Sequence, residues 1–291
     1  MDQAEQLRNI IKASSPRKRP LARVITVTSG KGGVGKSNTA INLAIQFRKM
    51  EQRVIILDAD FGLANIEIMF GTVPKHNLCD LIYQGKNIQD IITWGPMDVG
   101  FISGGSGIAG MSNLSRDYLN YIIQNLVELD EMADIIIVDT GAGISDAVLE
   151  FLVASGEVLL VTTPEPTSIT DSYSLLKALH RHSRYSAKET QIKVIANKVF
   201  GEAEAEALYE KLEAVVGRYL KVPISYLGMI PQDDQLARAV MQQMPVSLDS
   251  PRSRSAVAYE LLAAKLMNKE LNKNIPKRGM AAFFSHIISK R

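Results

Sequence analysis

Eight consecutive residues, GKGGVGKS, open the chemistry of this chain at positions 30–37. They fit the pattern G-x-x-x-x-G-K-[ST], in which glycines let successive backbone N–H groups turn inward and cradle phosphate oxygens. The phosphate-binding set is Gly30, Lys31, Gly32, Gly33, Val34, Gly35, Lys36, Ser37 and Asn38. An apolar strand pattern precedes it and an amphipathic helix pattern follows, so the helix N-terminus adds its positive dipole end. Lys36 is placed to reach the β- and γ-phosphates, and the Ser37 hydroxyl to ligate Mg²⁺. Acids stand at the ends of two further apolar runs: Asp58 and Asp60 in VIILDAD, and Asp139 in DIIIVDTGAG. A late run ends in Asn197-Lys198-Val199-Phe200, where Phe200 replaces the acid with which many P-loop GTPases read guanine. ATP is therefore the expected nucleotide.

The elements that must position these groups are legible as an alternation. Strands are expected at 24–28, 54–57, 99–102, 135–138, 158–162, 192–196 and 224–229. Several are Val/Ile runs without polar alternation, as in strands covered on both faces. Helices are expected at 37–50, 115–129, 145–154, 168–181, 202–216 and 252–267, many opening at a capping Ser. This predicts an α/β fold: a single doubly wound, mostly parallel sheet with helices on both faces. The 291 residues and 46% hydrophobic content suit one large domain.

Cys79 is the sole cysteine, which excludes an internal disulfide or a paired-cysteine metal site. Residues 1–23 hold no apolar stretch of the secretory type, and no run approaches membrane-span length, so a cytoplasmic protein is expected. Charge is uneven: residues 1–23 carry +4 and residues 265–291 carry +6, leaving a body of −8 within a total of +2. Basic tails suit nucleic acid, anionic lipid or an acidic partner, or are simply solvated, and charge alone does not choose. His180 and His182 lie two apart, off a common helix face, and are expected at the surface. Trp94 is expected in a loop as a packing residue.

Both ends are patterned. Met280, Phe283, Phe284, Ile287 and Ile288 recur at i, i+3, i+4, i+7 and i+8, flanked by Lys277, Arg278, Lys290 and Arg291. Such a helix suits the interface of an anionic bilayer, or docks on its own core; it can do both in different states. At the start, Ala4, Leu7, Ile10 and Ile11 fall within one helical arc, followed by the basic linker KASSPRKRP. The arc is too small to fold alone and fits a groove on another protein. The expected organisation is 1–20 as a helix and linker that meet a partner, 21–272 as a nucleotide-binding domain and 273–291 as an amphipathic helix suited to a membrane interface.

KGGVGKS at 31–37 resembles the deviant Walker A motif of the MinD/ParA family of P-loop ATPases, over about residues 22–270. The resemblance implies an ATP-driven homodimer in which Lys31 contacts the partner subunit's phosphates. It implies that Asp60, in the first switch, positions the attacking water. Lys31, Lys36 and Asp60 are then catalytic, and Ser37, Asp58 and Asp139 surround Mg²⁺. DIIIVDTGAG resembles Walker B and the second switch, and Asn197 would contact adenine. The C-terminal pattern resembles the membrane-targeting sequence of MinD-type ATPases.

Asp2, Gln3, Ala4, Leu7 and Arg8 match the D-Q-A-x-x-L-R segment that precedes the core in the FlhG (FleN/YlxH) subfamily. That resemblance implies a slow, dimer-dependent ATPase regulating flagellar number and placement, cytoplasmic and reversibly at the inner face of the cell membrane. Its partners would be an FlhF-type signal-recognition GTPase, flagellar switch-complex proteins and, in some bacteria, a flagellar transcription regulator. No direct nucleic-acid contact is expected. The alternatives are a MinD-type division-site regulator, a ParA-type segregation ATPase, and an ATP-binding protein that signals by dimerisation with negligible turnover.

Overall fold

The computed structural model describes residues 21–60, 65–104, 125–268 and 279–288. The N-terminal segment with Asp2, Gln3, Ala4, Leu7 and Arg8, most of the helix expected at 115–129, and the basic residues flanking the C-terminal helix lie outside them.

Eight strands form one sheet: β1 (Arg23–Thr28), β2 (Val54–Ala59), β3 (Thr93–Trp94), β4 (Gly100–Ile102), β5 (Ile135–Thr140), β6 (Glu157–Thr162), β7 (Gln191–Val199) and β8 (Ile224–Pro231). Their order is β3-β4-β2-β5-β1-β6-β7-β8. Every pair is parallel except β3–β4. The central strands β1, β2, β5 and β6 are buried almost throughout, which is why they read as unbroken apolar runs.

The helices are α1 (Lys36–Lys49), α2 (Asn65–Phe70), α3 (Leu78–Gln84), α4 (Ile88–Ile91), α5 (Leu129–Met132), α6 (Asp146–Ala154), α7 (Pro166–Arg181), α8 (Glu202–Tyr219), α9 (Asp234–Met241), α10 (Val246–Asp249), α11 (Arg254–Met267) and α12 (Met280–Ile288). A large core joins one sheet face to α1, α2, α9, α10 and α11. The other face packs in two clusters, one with α3, α4, α5 and α12, the other with α6, α7 and α8. The doubly wound sheet is thus as expected. β3 and the short helices α2, α3, α4, α9 and α10 were not.

The edges are guarded in different ways. β3 has two residues, too few to template a partner strand. β8 is longer, and at its bulged Leu227 the ammonium of Lys265 donates to the carbonyl oxygen at 2.9 Å. Trp94 is half-exposed on β3, so it is an edge residue rather than a packed one. His182 is partly buried and faces Glu150 on α6, contrary to its expected surface position, while His180 is exposed.

The C-terminal helix is stowed. Met280, Phe283 and Phe284 are buried in the cluster that also holds Ala22, Leu129, Phe151 and Ala154. Phe283 stacks on Phe151 of α6 with ring centroids 5.9 Å apart. Ile287 is partly buried against the same cluster, and the Ile288 side chain is outside the description. The first turns of the apolar stripe, Met280, Phe283 and Phe284, are thus covered by the protein itself in this structure.

Candidate nucleotide site

Parallel pairing brings the chemistry to one edge. β1 lies between β5 and β6, and β2 lies beside β5, so the loops after β1, β2 and β5 open together at the C-terminal ends of the strands. In an open α/β sheet this is where ligands bind. Asp58 and Asp139 are direct register neighbours across β2 and β5.

The phosphate loop runs from β1 to α1. Gly33 and Gly35 adopt φ of +75° and +97°. At Gly35 a Cβ atom would also lie 2.3 Å from the Asn197 side-chain amide. At Gly30 it would lie 2.2 Å from the Asp171 backbone of α7. Those two positions need glycine for space, and Gly35 for conformation as well. Ser37, Asn38 and the buried Lys36 open α1. The Asn38 carbonyl accepts from Asn42 within that helix. Val34 is buried, whereas Gly32 and Gly33 face solvent.

Asp139 is wholly buried, and neither of its carboxylate oxygens has a well-formed protein hydrogen bond among the described residues. Burial pushes its pKa up to about 6, against the nearby Lys36 ammonium and Ser37 hydroxyl, which favour the ionised form. Burial and the neighbouring Asp139 charge push Asp58 up to about 8, although the backbone N–H groups of Asp60 and Ile66 point at it. Two buried carboxylates side by side, with orphaned oxygens and a hydroxyl next to them, fit a hard divalent cation of the Mg²⁺ type. Ser37, Asp58 and Asp139 are the residues that would hold it. Asp60 is partly exposed, and its carboxylate lies near Gly141. Gly143 N–H donates to the Ser29 carbonyl at 3.0 Å, which ties the loop after β5 to the phosphate loop.

Two expected residues are engaged in ways the sequence did not reveal. Lys31 forms an ion pair with Glu165 at 2.6 Å and donates to Thr167 at 2.9 Å, both at the start of α7. This contact is within one chain. The Lys31 hydrogen bond and then its charge, with help from Lys198, hold the Glu165 carboxyl below its ordinary range. Asn197 donates to the Val34 carbonyl at 2.6 Å and accepts from the Lys198 N–H, so it braces the phosphate loop. Lys198, at φ +58°, donates to the Gly33 carbonyl at 2.9 Å. Glu165, Thr167 and Lys198 were not singled out from sequence. The available signal was that β6 and β7 end at the same edge as β1, with PEPT following β6.

The comparisons with known proteins agree with this geometry. Residues 25–246 match the family model of the CobQ/CobB/MinD/ParA nucleotide binding domain. The chain is 39% identical over 262 residues to the antiactivator FleN of Pseudomonas aeruginosa, covering 90% of this chain and 91% of that protein. It is 32% identical over 295 residues to the flagellum site-determining protein YlxH of Helicobacter pylori, covering 99% and 98%. In fold it is similar to the septum site-determining protein MinD complexed with Mg-ADP from Pyrococcus horikoshii, with a TM-score of 0.65 at 23% identity over 86% of this chain and 98% of that one. A ParA family ATPase from Chlorobium tepidum gives a TM-score of 0.68 at 22% identity, over 84% and 99%.

Proposed function

The chain belongs to the CobQ/CobB/MinD/ParA nucleotide-binding family, in its FleN/YlxH branch, and from that premise we propose that it is a Mg²⁺-dependent ATPase switch that sets flagellar number and placement. The observation that carries the switch is the meeting of Lys36, Ser37, Asp58, Asp60 and Asp139 at the ends of three adjacent strands. The flagellar assignment rests on the two relatives, one named for restraining an activator and one for determining a flagellar site.

The residues divide the work. Loop N–H groups and Lys36 bind the phosphates, and Mg²⁺ supplies charge neutralisation there. Asp60 accepts a hydrogen bond from the attacking water and orients it, a role in which position matters more than basicity. Lys31 rests on Glu165 and Thr167 in the single chain and, in an ATP dimer, turns to the partner subunit's phosphates. Asn197 braces the loop through the Val34 carbonyl and is the residue proposed to meet adenine. The Asp60→Ala variant should keep ATP and remain a dimer in analytical ultracentrifugation; an unchanged hydrolysis rate would remove Asp60 from the mechanism.

The stowed C-terminal helix supports a second element of the reading. α6 begins directly after the loop that follows β5, and α12 packs on α6 through Phe151 and Phe283. A change in that loop on nucleotide exchange therefore reaches the floor of the groove holding α12. Release in the ATP dimer would present two amphipathic helices with Lys277, Arg278, Lys290 and Arg291 to an anionic membrane, and two weak anchors bind as one strong one. Vesicle co-sedimentation with ATP tests this: equal pelleting after deletion of residues 277–291 would reject it. Residues 1–20 are proposed to activate an FlhF-type GTPase. A peptide of those residues should raise that enzyme's GTP turnover, and no stimulation would favour a MinD-type division role.

A further inference from the structure

The N-terminus of α12 is held by one buried carboxylate. Asp130, on the short helix α5, is only 4% exposed. Its Oδ1 accepts from the Met280 N–H at 2.9 Å, an orphan donor in the first turn of α12. A Cβ atom at Gly279 would lie 2.3 Å from one Asp130 oxygen and 2.7 Å from the other, so the chain reaches this carboxylate only through a glycine. Gly279 then closes the turn by accepting from Phe283 N–H at 3.1 Å. A carboxylate at a helix N-terminus stabilises both the orphan N–H groups and the dipole, most strongly when water is kept away. The neighbouring Leu129 lines the groove into which Phe283 and Phe284 insert.

The geometry points to Asp130 as the clasp that sets how readily the C-terminal helix leaves its groove. α12 is held at two places with different connections. Its apolar face rests on a cluster that includes Phe151 and Ala154 of α6, the helix that leads to the nucleotide loops. Its first turn is tied to α5, at the opposite end of the sheet from the nucleotide site, beside the backbone pairing of Arg23 with Asp134. Nucleotide exchange acts on the first hold only. Asp130 is therefore the fixed resistance against which the nucleotide signal works, and its strength sets the threshold for release. The consequence for lipid rests on the membrane reading above; the clasp itself does not.

Hydrogen exchange on the full chain without nucleotide separates the two. In Asp130→Ala, amides of residues 282–288 should exchange about tenfold faster, the size of a lost helix cap, with β1 and β5 unchanged. Gly279→Ala should do the same from the other side of the contact, and Asp130→Asn, which keeps an acceptor, should recover part of the protection. Unchanged exchange in α12, or an equal rise across the sheet, would overturn the clasp. Flotation of the same variants with anionic phospholipid vesicles gives the second readout. Several-fold more bound Asp130→Ala protein supports both readings. Faster exchange without added binding supports the clasp and overturns the membrane role of α12.

Discussion

The two ends of the central strands treat buried charge in opposite ways. At the C-terminal ends, Asp58 and Asp139 sit side by side, and the Asp139 oxygens have no well-formed partner among the described residues. At the N-terminal ends, Glu157 is equally buried, but Arg23 grips it with two hydrogen bonds of 2.8 Å and Lys193 with one of 2.7 Å. Arg23 also donates to the Leu266 carbonyl, which fastens α11 to β1. Arg53 and Asp134 form another pair at this end, at 2.8 Å. Both ends bury carboxylates near basic side chains. What differs is satisfaction: a completed pair holds the fold, and an incomplete one is where a bound cation would complete it.

The largest expected effect lies at the C-terminal ends of the strands. Asp139→Asn should lower ATP turnover about a hundred- to thousandfold, the usual scale for removing a pre-organised charge from a transition state. The nucleotide-free variant should melt higher than the parent, because a buried charge whose desolvation outweighs its compensation by Lys36 and Ser37 is gone. A lower melting temperature would mean that Asp139 is a structural residue after all. The opposite end should show the reverse pattern. Glu157→Ala leaves buried cations without their partner and should cost roughly 3–5 kcal/mol in denaturant unfolding. Turnover of the protein still folded should be unchanged.

A pH series sharpens the contrast. Asp58 and Asp139 hold protons in the folded state that the unfolded chain has released, since their pKa values rise to about 8 and about 6 from 3.8. The nucleotide-free fold is therefore favoured below about pH 4 as far as these groups go, and that contribution is lost as pH rises through 6 and then 8. Thermal melts between pH 5 and 8 should show the decline, and Asp58→Asn should flatten it. The smallest effect belongs to a pair that is complete but partly solvated. Arg53→Ala should cost about 1 kcal/mol or less and leave turnover untouched, measured by the same unfolding and hydrolysis assays.

The seven longer strands were legible because double coverage leaves an apolar run with nothing polar to interrupt it. β3 was not: two residues carry no period, and its antiparallel pairing depends on a turn through Met97 and Asp98, both at positive φ. The helices α2, α4 and α10, of six residues or fewer, likewise have too few turns to show a period. The glycine-rich loop between β1 and α1 was legible as a motif, since its residues are contiguous. Its braces were not. Lys31 meets Glu165 across 134 residues, and Asn197 meets Val34 across 163, and such contacts exist only once strand order is known. The Asp130 hold on α12 is hidden for the same reason, although the glycine before an apolar helix was in plain view.

The open edge of the sheet at β8 has a consequence for life in a crowded solution. A strand with free N–H and C=O groups invites any other strand to join it, and indefinite stacking is the outcome. Here the bulge interrupts the edge strand at Leu227, and the Lys265 ammonium sets a charge beside it by donating to the carbonyl of that residue. A newcomer would have to displace a charged group and then bury it. A bulge and a lysine on an edge strand are two of the devices by which sheets discourage the joining of a further strand.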